Sequence, residues 1–286
     1  MYKVYEKWPE IAQQYFENNS QNVDFGNISH VVFAGMGGSG AIGDIFSSIL
    51  SKTDIHVEVI KGYLLPKTVN KNSLVVATSI SGNTEETLAI LRKAYELKCK
   101  IVAFSDGGKM QQYCIKNQIN HKQISMNHSP RASFPAFLYS ILNVLQPFLP
   151  IEKNDIQDSL NSLKKQREQI TSNNLTLTNP ALELAKWIND IPLIYYPWGL
   201  QASAIRFKNS LQENAKMHAI TEDVIEACHN GIVSWEKNSQ IKPILIQGND
   251  DYIKTKERWK ILREFFEDRK IEYKEIKSVE GGIFSK

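Results

Sequence analysis

The chain reads as an α/β protein made of two doubly wound domains, each a parallel sheet flanked by helices. Three observations predict this. Short apolar strands alternate with helical repeats through the first half, the pattern of successive βαβ units. Turns rich in glycine or hydroxyl groups follow two of those strands and open directly into helices, which is where ligands gather in such sheets. The same alternation restarts beyond a polar, charged stretch near the middle of the 286 residues, a length that suits two domains. The expected division is 1–150 and 151–286.

Each element has its own warrant. Residues 5–18 carry helical spacing, with Trp8 and Pro9 near the start. His30 to Ala34 is an apolar strand, followed by the turn Gly35-Met36-Gly37-Gly38-Ser39-Gly40 and a helix from about Ala41 to Leu50. Strands follow at 55–60, 74–77 and 100–105, with a helix between the last two that runs to about Leu97. After Ser129-Pro130-Arg131-Ala132-Ser133 comes an apolar helix, Phe134 to Phe148, which Pro150 closes. Residues 151–178 read as a connecting helix and a loop at Asn173-Asn174. The second half then offers a helix at 182–187, a strand at 191–196 and a helix at 200–216. A strand at 242–247, a helix at 252–267 and a half-buried strand at 271–276 complete it. Gly281-Gly282-Ile283-Phe284 looks like a loop entering a further helix, so a C-terminal segment is expected to be missing or short.

Composition narrows the function. The chain is 42% hydrophobic and 23% charged, enough for a sizeable core. A net charge of +3, spread along the chain, does not argue for nucleic acid. Its 3 cysteines are irregularly spaced, which suggests neither disulfides nor zinc and fits a reducing cytoplasm. No apolar run approaches the roughly 20 residues that span a bilayer, so no membrane partner is expected.

The most informative stretch is Ser79-Ile80-Ser81-Gly82-Asn83-Thr84-Glu85-Glu86-Thr87, between a strand and a helix. A helix N-terminus presents unpaired N–H groups and partial positive charge, and nearby hydroxyls add donors. That combination suits a dianionic phosphate. Gly-Lys-Ser/Thr is absent, so a small monophosphate fits better than a nucleoside triphosphate. A single Ser/Thr helix cap would need one hydroxyl, and this turn supplies Ser79, Ser81 and Thr84.

Gly35 to Gly40 also fits GxGxxG, a dinucleotide signature. The acidic residue expected at the tip of the next strand is poorly met: Glu58 lies inside the strand and the tip reads Lys61-Gly62. In the second half, Glu213 lies in Gln212-Glu213-Asn214-Ala215-Lys216 and His229 in Cys228-His229-Asn230-Gly231. A carboxylate and an imidazole are common tools for moving protons beside a carbonyl. Alone, a helical Glu reads as a solvated charge that Lys216 could pair with, and a His before Asn-Gly as a turn residue. Trp187, Trp198, Trp235 and Trp259 read as packing residues.

Taken together, GMGGSG, SxSGNTxET, SPRAS, NSLQENAK and the following His-Asn resemble sugar-isomerase (SIS) domain proteins, and more closely the bifunctional phosphoglucose/phosphomannose isomerases. The resemblance implies two SIS-type, flavodoxin-like domains of five parallel strands each, in a homodimer. It implies a phosphate site of Gly38, Ser39, Ser79, Ser81 and Thr84, with Arg131 at the carbonyl end of the substrate or on the enediolate. It further implies Glu213 as the base that carries a proton between C2 and C1, and His229, from the partner subunit, as the group assisting ring opening. The substrate would be a phosphorylated hexose, in glycolysis or gluconeogenesis. That route needs no metal or redox cofactor, and the chain shows no HExxH and no compact His/Asp/Glu cluster. The family also has a C-terminal helical region with a lysine used in ring opening; Lys286 is not assigned that role. The alternative is a non-catalytic SIS phosphosugar-binding regulator, but residues 1–30 are too short for a DNA-binding domain and such a sensor has no use for Glu213 and His229.

Overall fold

A computed structural model describes residues 1–18, 23, 25–51, 53–148 and 152–279. The chain divides into two compact units, Met1–Lys153 and Asn154–Lys286.

The first unit starts with two helices, α1 (Tyr2–Tyr5) and α2 (Trp8–Glu17), where the spacing predicts one. Trp8-Pro9 opens α2 because proline at a first-turn position loses no helical hydrogen bond. Then come β1 (His30–Ala34), α3 (Gly37–Leu50), β2 (His56–Ile60), β3 (Leu74–Thr78), α4 (Glu85–Glu96) and β4 (Lys100–Ser105). α5 (Gly108–Lys116), β5 (Asn120–Gln123) and α6 (Phe134–Leu145) close the unit. The helix after the glycine turn begins at Gly37, not near Ala41, so Gly38 and Ser39 belong to its first turn. α5 and β5 lie where no element is expected from the pattern. β5 reads Asn120-His121-Lys122-Gln123, an edge strand with no apolar face to betray it.

All five strands are parallel, in the order β2-β1-β3-β4-β5. β1, β3 and β4 are central and covered on both faces, which explains their nearly unbroken apolar runs. On one face Val32, Ala34, Val75, Ile90 and Ala94 pack together. Beside them, α4 and α5 seal a cluster of Ala77, Leu88, Leu91, Ala103, Met110 and Cys114. α6 is buried along most of its length and packs against α2 and α3. The order reverses between β1 and β3, the place where ligands gather in sheets of this kind, at the strands' carboxyl ends.

The second unit contains α7 (Lys153–Ile170), α8 (Pro180–Trp187), β6 (Pro192–Tyr196), α9 (Gln201–Ser210), β7 (Ile220–Asp223), α10 (Val224–Ala227), β8 (Lys242–Gln247), α11 (Ile253–Asp268) and β9 (Lys274–Lys277). Asn179 caps α8, accepting from the backbone N–H groups of Ala181 and Leu182 at 3.0 and 3.2 Å. The described residues form a parallel sheet of four strands, β7-β6-β8-β9, one fewer than the five implied by the resemblance. β7, Ile220-Thr221-Glu222-Asp223, escapes the sequence pattern for the same reason as β5: it is a polar edge strand. The core is aromatic: Tyr195, Trp235, Trp259 and Phe266, with the Trp235 indole N–H donating to the Tyr195 hydroxyl at 2.9 Å. Trp198 departs from the packing role expected of it and is 63% exposed. Its Pro197-Trp198-Gly199 turn follows the carboxyl end of β6. The Pro150 stop and the Gly281–Phe284 turn lie outside the described residues.

Candidate functional site

The SxSGNT turn is built on the carboxyl end of β3 and braced by the loop that follows β4. The Ser79 N–H donates to the Phe104 carbonyl and the Gly82 N–H to the Ser79 carbonyl, at 3.0 and 2.9 Å. Asp106 N–H donates back to the Ile80 carbonyl at 3.0 Å, and Met110 N–H to the Gly82 carbonyl at 2.9 Å. Asn83 adds its side chain, its amide donating to the Ser81 carbonyl and its Oδ1 accepting from Lys109 N–H. Gly82 has a φ of +69°, a left-handed conformation that costs a residue with a Cβ but not glycine. The two strands' loops thus fix each other before any ligand arrives.

The turn delivers its hydroxyls unequally. Ser79 is buried and its Oγ lies 2.9 Å from Thr84 Oγ1, while Ser81 is exposed. One hydroxyl of the Ser79–Thr84 pair donates to the other, which leaves one hydroxyl hydrogen free to donate elsewhere. Thr84 occupies the N-cap of α4, yet its hydroxyl makes no cap hydrogen bond. The first N–H groups of α4 therefore receive nothing from that side chain and can serve an anion. Glu85, in the first turn, would repel such an anion. Its charge is offset by Lys109 Nζ at 2.6 Å, and this ion pair is the main reason its carboxyl is held below the usual carboxylate range.

Underneath, Ser105 Oγ lies 2.9 Å from the Gly107 carbonyl and 2.8 Å from His121 Nε2. A carbonyl can only accept, so the one hydroxyl hydrogen goes to Gly107 and His121 supplies its Nε2–H to Ser105. Burial pushes the His121 pKa down, in keeping with a neutral ring.

The glycine turn sits on the neighbouring strand, since Ala34 pairs with Ala77 across β1 and β3. Ser39 is buried in the first turn of α3, with its N–H donating to the Met36 carbonyl at 3.0 Å. Gly40 must be glycine because a Cβ there would lie 2.7 Å from the Gly35 carbonyl oxygen. At the tip of β2, Lys61 Nζ pairs with Asp44 at 2.6 Å, so that tip presents a cation where a dinucleotide site needs a carboxylate.

Arg131 is half-buried in the turn before α6. Ser133 Oγ accepts from Asn127 N–H at 2.8 Å and donates to the Ser129 carbonyl at 2.9 Å, and the Trp8 indole donates to the Ala132 carbonyl at 2.9 Å. A Cβ placed on Gly38 would lie 4.0 Å from the Phe134 ring, so the glycine turn borders the start of α6. Gly38, Ser39, Ser79, Ser81 and Thr84 thus lie in the segments that follow the carboxyl ends of β1 and β3, the neighbouring strands where the order reverses, and Arg131 lies in the turn before α6.

In the second unit α9 gives way to a π-helical turn, Leu211–Ala215, which contains Glu213. Such turns interrupt the regular i→i−4 ladder and recur at functional sites. Lys216 stops it in a left-handed conformation, φ 59°, and its Nζ donates to the Glu213 backbone carbonyl at 2.6 Å. The lysine thus binds the peptide group of Glu213, where sequence spacing suggests a pairing with the carboxylate. His229 is exposed after α10, its N–H donating to the Glu226 carbonyl at 2.9 Å. α9 returns from the carboxyl end of β6 to the amino end of β7, carrying Glu213 with it, whereas His229 follows the carboxyl end of β7. Chain direction therefore sends the two residues toward opposite ends of the parallel strands.

The sequence offers no compact cluster of metal ligands, but pairing of β1 and β2 assembles one from His30, His56 and Glu58.

Comparison with known proteins agrees with this architecture. Residues 25–142 match the SIS domain family, and residues 177–286 the bacterial phospho-glucose isomerase C-terminal SIS domain. A bifunctional phosphoglucose/phosphomannose isomerase of Caldicellulosiruptor bescii is 34% identical over 246 residues, 82% of this chain and 71% of that one. Its counterpart in Aquifex aeolicus is 27% identical over 279 residues, 94% and 81% of the two chains. A D-glucosamine-6-phosphate 4-epimerase of Sulfolobus acidocaldarius is 28% identical over 249 residues, 86% and 77%. Among solved structures, tagatose-6-phosphate ketose/aldose isomerase from Escherichia coli superposes with a TM-score of 0.70 at 16% identity, covering 99% of this chain and 82% of that one. At such low identity it speaks for the fold alone. The five motifs, the 2-1-3-4-5 strand order of the first unit and the 34% identity across 71% of a curated relative lead to one conclusion: this chain belongs to the bifunctional phosphoglucose/phosphomannose isomerase family.

Proposed function

We propose that this protein interconverts fructose-6-phosphate with glucose-6-phosphate and mannose-6-phosphate, by proton transfer through a cis-enediolate. The observation that carries this reading is the Ser79–Thr84 hydroxyl pair at the uncapped start of α4, a receptor for a monophosphate, in a chain of this family. Gly38, Ser39, Ser79, Ser81 and Thr84 would hold the phosphate. Binding energy gained there positions the sugar's C1–C2 end for chemistry.

Aldose–ketose isomerisation needs a base to take the proton alpha to a carbonyl, and positive charge or donors for the developing oxyanion. Glu213 would be that base, moving one proton between C2 and C1, and Arg131 would stabilise the enediolate. His229 would assist ring opening. The opposite directions in which the chain carries Glu213 and His229 favour a homodimer, in which His229 of a second copy completes each site. Interconversion of these hexose phosphates would serve glycolysis or gluconeogenesis in the cytoplasm.

The test is conversion of fructose-6-phosphate by EDTA-treated protein, with glucose-6-phosphate and mannose-6-phosphate detected separately. Formation of both is the expected result. Binding of fructose-6-phosphate without turnover would replace the isomerase with a phosphosugar sensor. Because one relative is a D-glucosamine-6-phosphate 4-epimerase, glucosamine-6-phosphate belongs in the same assay, and its turnover in place of fructose-6-phosphate would move the reading to epimerisation.

A further inference from the structure

We infer that the amino ends of β1 and β2 form a divalent transition-metal site of the zinc class, with His30, His56 and Glu58 as ligands. His30 and His56 stand directly opposite each other in the parallel register, with ring centroids 4.9 Å apart, and Glu58 lies two residues along on the same side of β2. The ligand atoms of all three lie within 4.8 Å of one another. His56 Nε2 is 3.2 Å and His30 Nε2 3.6 Å from Glu58 Oε1. Ligands around tetrahedral zinc, each at about 2.0–2.1 Å, stand roughly 3.3 Å apart, so small rotations close this set on an ion.

The second observation is the state of His30. Its Nε2 is buried and has no hydrogen-bond partner among the described residues, the Glu58 oxygen being too distant to accept. A buried ring nitrogen without a partner is costly unless something else satisfies it. Its other nitrogen, Nδ1, is 3.1 Å from Ser73 Oγ, and that oxygen accepts from Asn70 N–H. In the tautomer that donates Nδ1–H to Ser73, the Nε2 lone pair faces the cluster, as a histidine ligand requires. Thr68 Oγ1 donates to Glu58 Oε1 at 3.1 Å and orients the carboxylate. His56 is exposed, which leaves the remaining coordination position to water.

This site is separate from the phosphate cradle. His30 begins β1 and the glycine turn follows Ala34, so the two lie about 13 Å apart along the strand. A bound ion would tie the edge strand β2 to β1. The inference is independent of the isomerase reading, because it rests on different residues and is decided by metal binding, not by turnover.

Untagged, EDTA-treated protein is titrated with Co2+, followed by visible absorption, and with Zn2+, followed by calorimetry. One ion per chain with tetrahedral Co2+ bands is expected. His56→Ala and Glu58→Gln, both near the surface, should each raise the Kd at least tenfold while fructose-6-phosphate turnover stays unchanged. Absence of the Co2+ bands, or binding that survives both substitutions, would overturn the site.

Discussion

Gly82 and Gly107 stand so close that neither strand loop could take its place if Gly82 carried a side chain: a Cβ there would overlap the Gly107 carbonyl oxygen. That carbonyl also accepts the Ser105 hydroxyl, so the contact joins the SxSGNT turn to the loop after β4. Gly82→Ala adds a left-handed strain, of order 1–3 kcal/mol, to this overlap. We expect a loss of stability at least that large in urea unfolding, with fructose-6-phosphate binding abolished. Wild-type binding by Gly82→Ala protein would mean the turn relaxes freely and does not shape the cradle.

Ser79→Ala and Thr84→Val each remove one partner of the hydroxyl pair. Hydrogen bonds to a charged group contribute about 1.5–3 kcal/mol, so KM should rise roughly ten- to hundredfold. The phosphate does not change during the reaction, so kcat should fall much less. A collapse of kcat at constant KM would place these hydroxyls at the reacting carbons instead.

Glu213→Gln keeps size and hydrogen bonding but removes the base, and kcat should drop roughly 10²–10⁴-fold with binding retained. Mixing Glu213→Gln with His229→Ala tests the shared site. In a heterodimer of the two, one site regains both groups, so random exchange at equal amounts should restore about one quarter of wild-type activity. No recovery, with subunit exchange verified, would assign both residues to one chain's site.

Acid should weaken the first unit through His121. Its folded pKa lies below the ordinary value of 6.5, so the unfolded chain binds the proton more readily. The contribution of its neutral form is whole above about pH 6.5 and is lost as pH falls from there through the lower folded value. Tm measured between pH 8 and 5 should fall on the acid side, and His121→Gln, which can still donate to Ser105, should flatten that fall. An unchanged slope in the variant would move the pH dependence elsewhere.

The residues that announce this protein are local in character. An apolar strand running into Ser79-Ile80-Ser81-Gly82-Asn83-Thr84 specifies a strand, a turn and a helix start within one short segment, because hydroxyl donors, a left-handed glycine and apolar periodicity all act over a few neighbours. The central strands β1, β3, β4, β6 and β8 were legible for the same reason, being apolar along their length. β5 and β7 were not, since polar edge strands take their order from hydrogen bonds to a neighbour and not from burial of their own side chains.

Tertiary structure alone decided the rest. It buried Ser79 against Thr84 and left Ser81 exposed, turned Lys216 to the backbone carbonyl of Glu213, and sent Trp198 to the surface. It also gathered His30, His56 and Glu58, which register between two strands brings together although 26 positions separate the histidines. Sequence by itself determined the apolar central strands and the composition of the turns that follow them; pairing of distant strands determined which side chains meet, because contacts between remote segments depend on how strands align and pack, which no local pattern encodes.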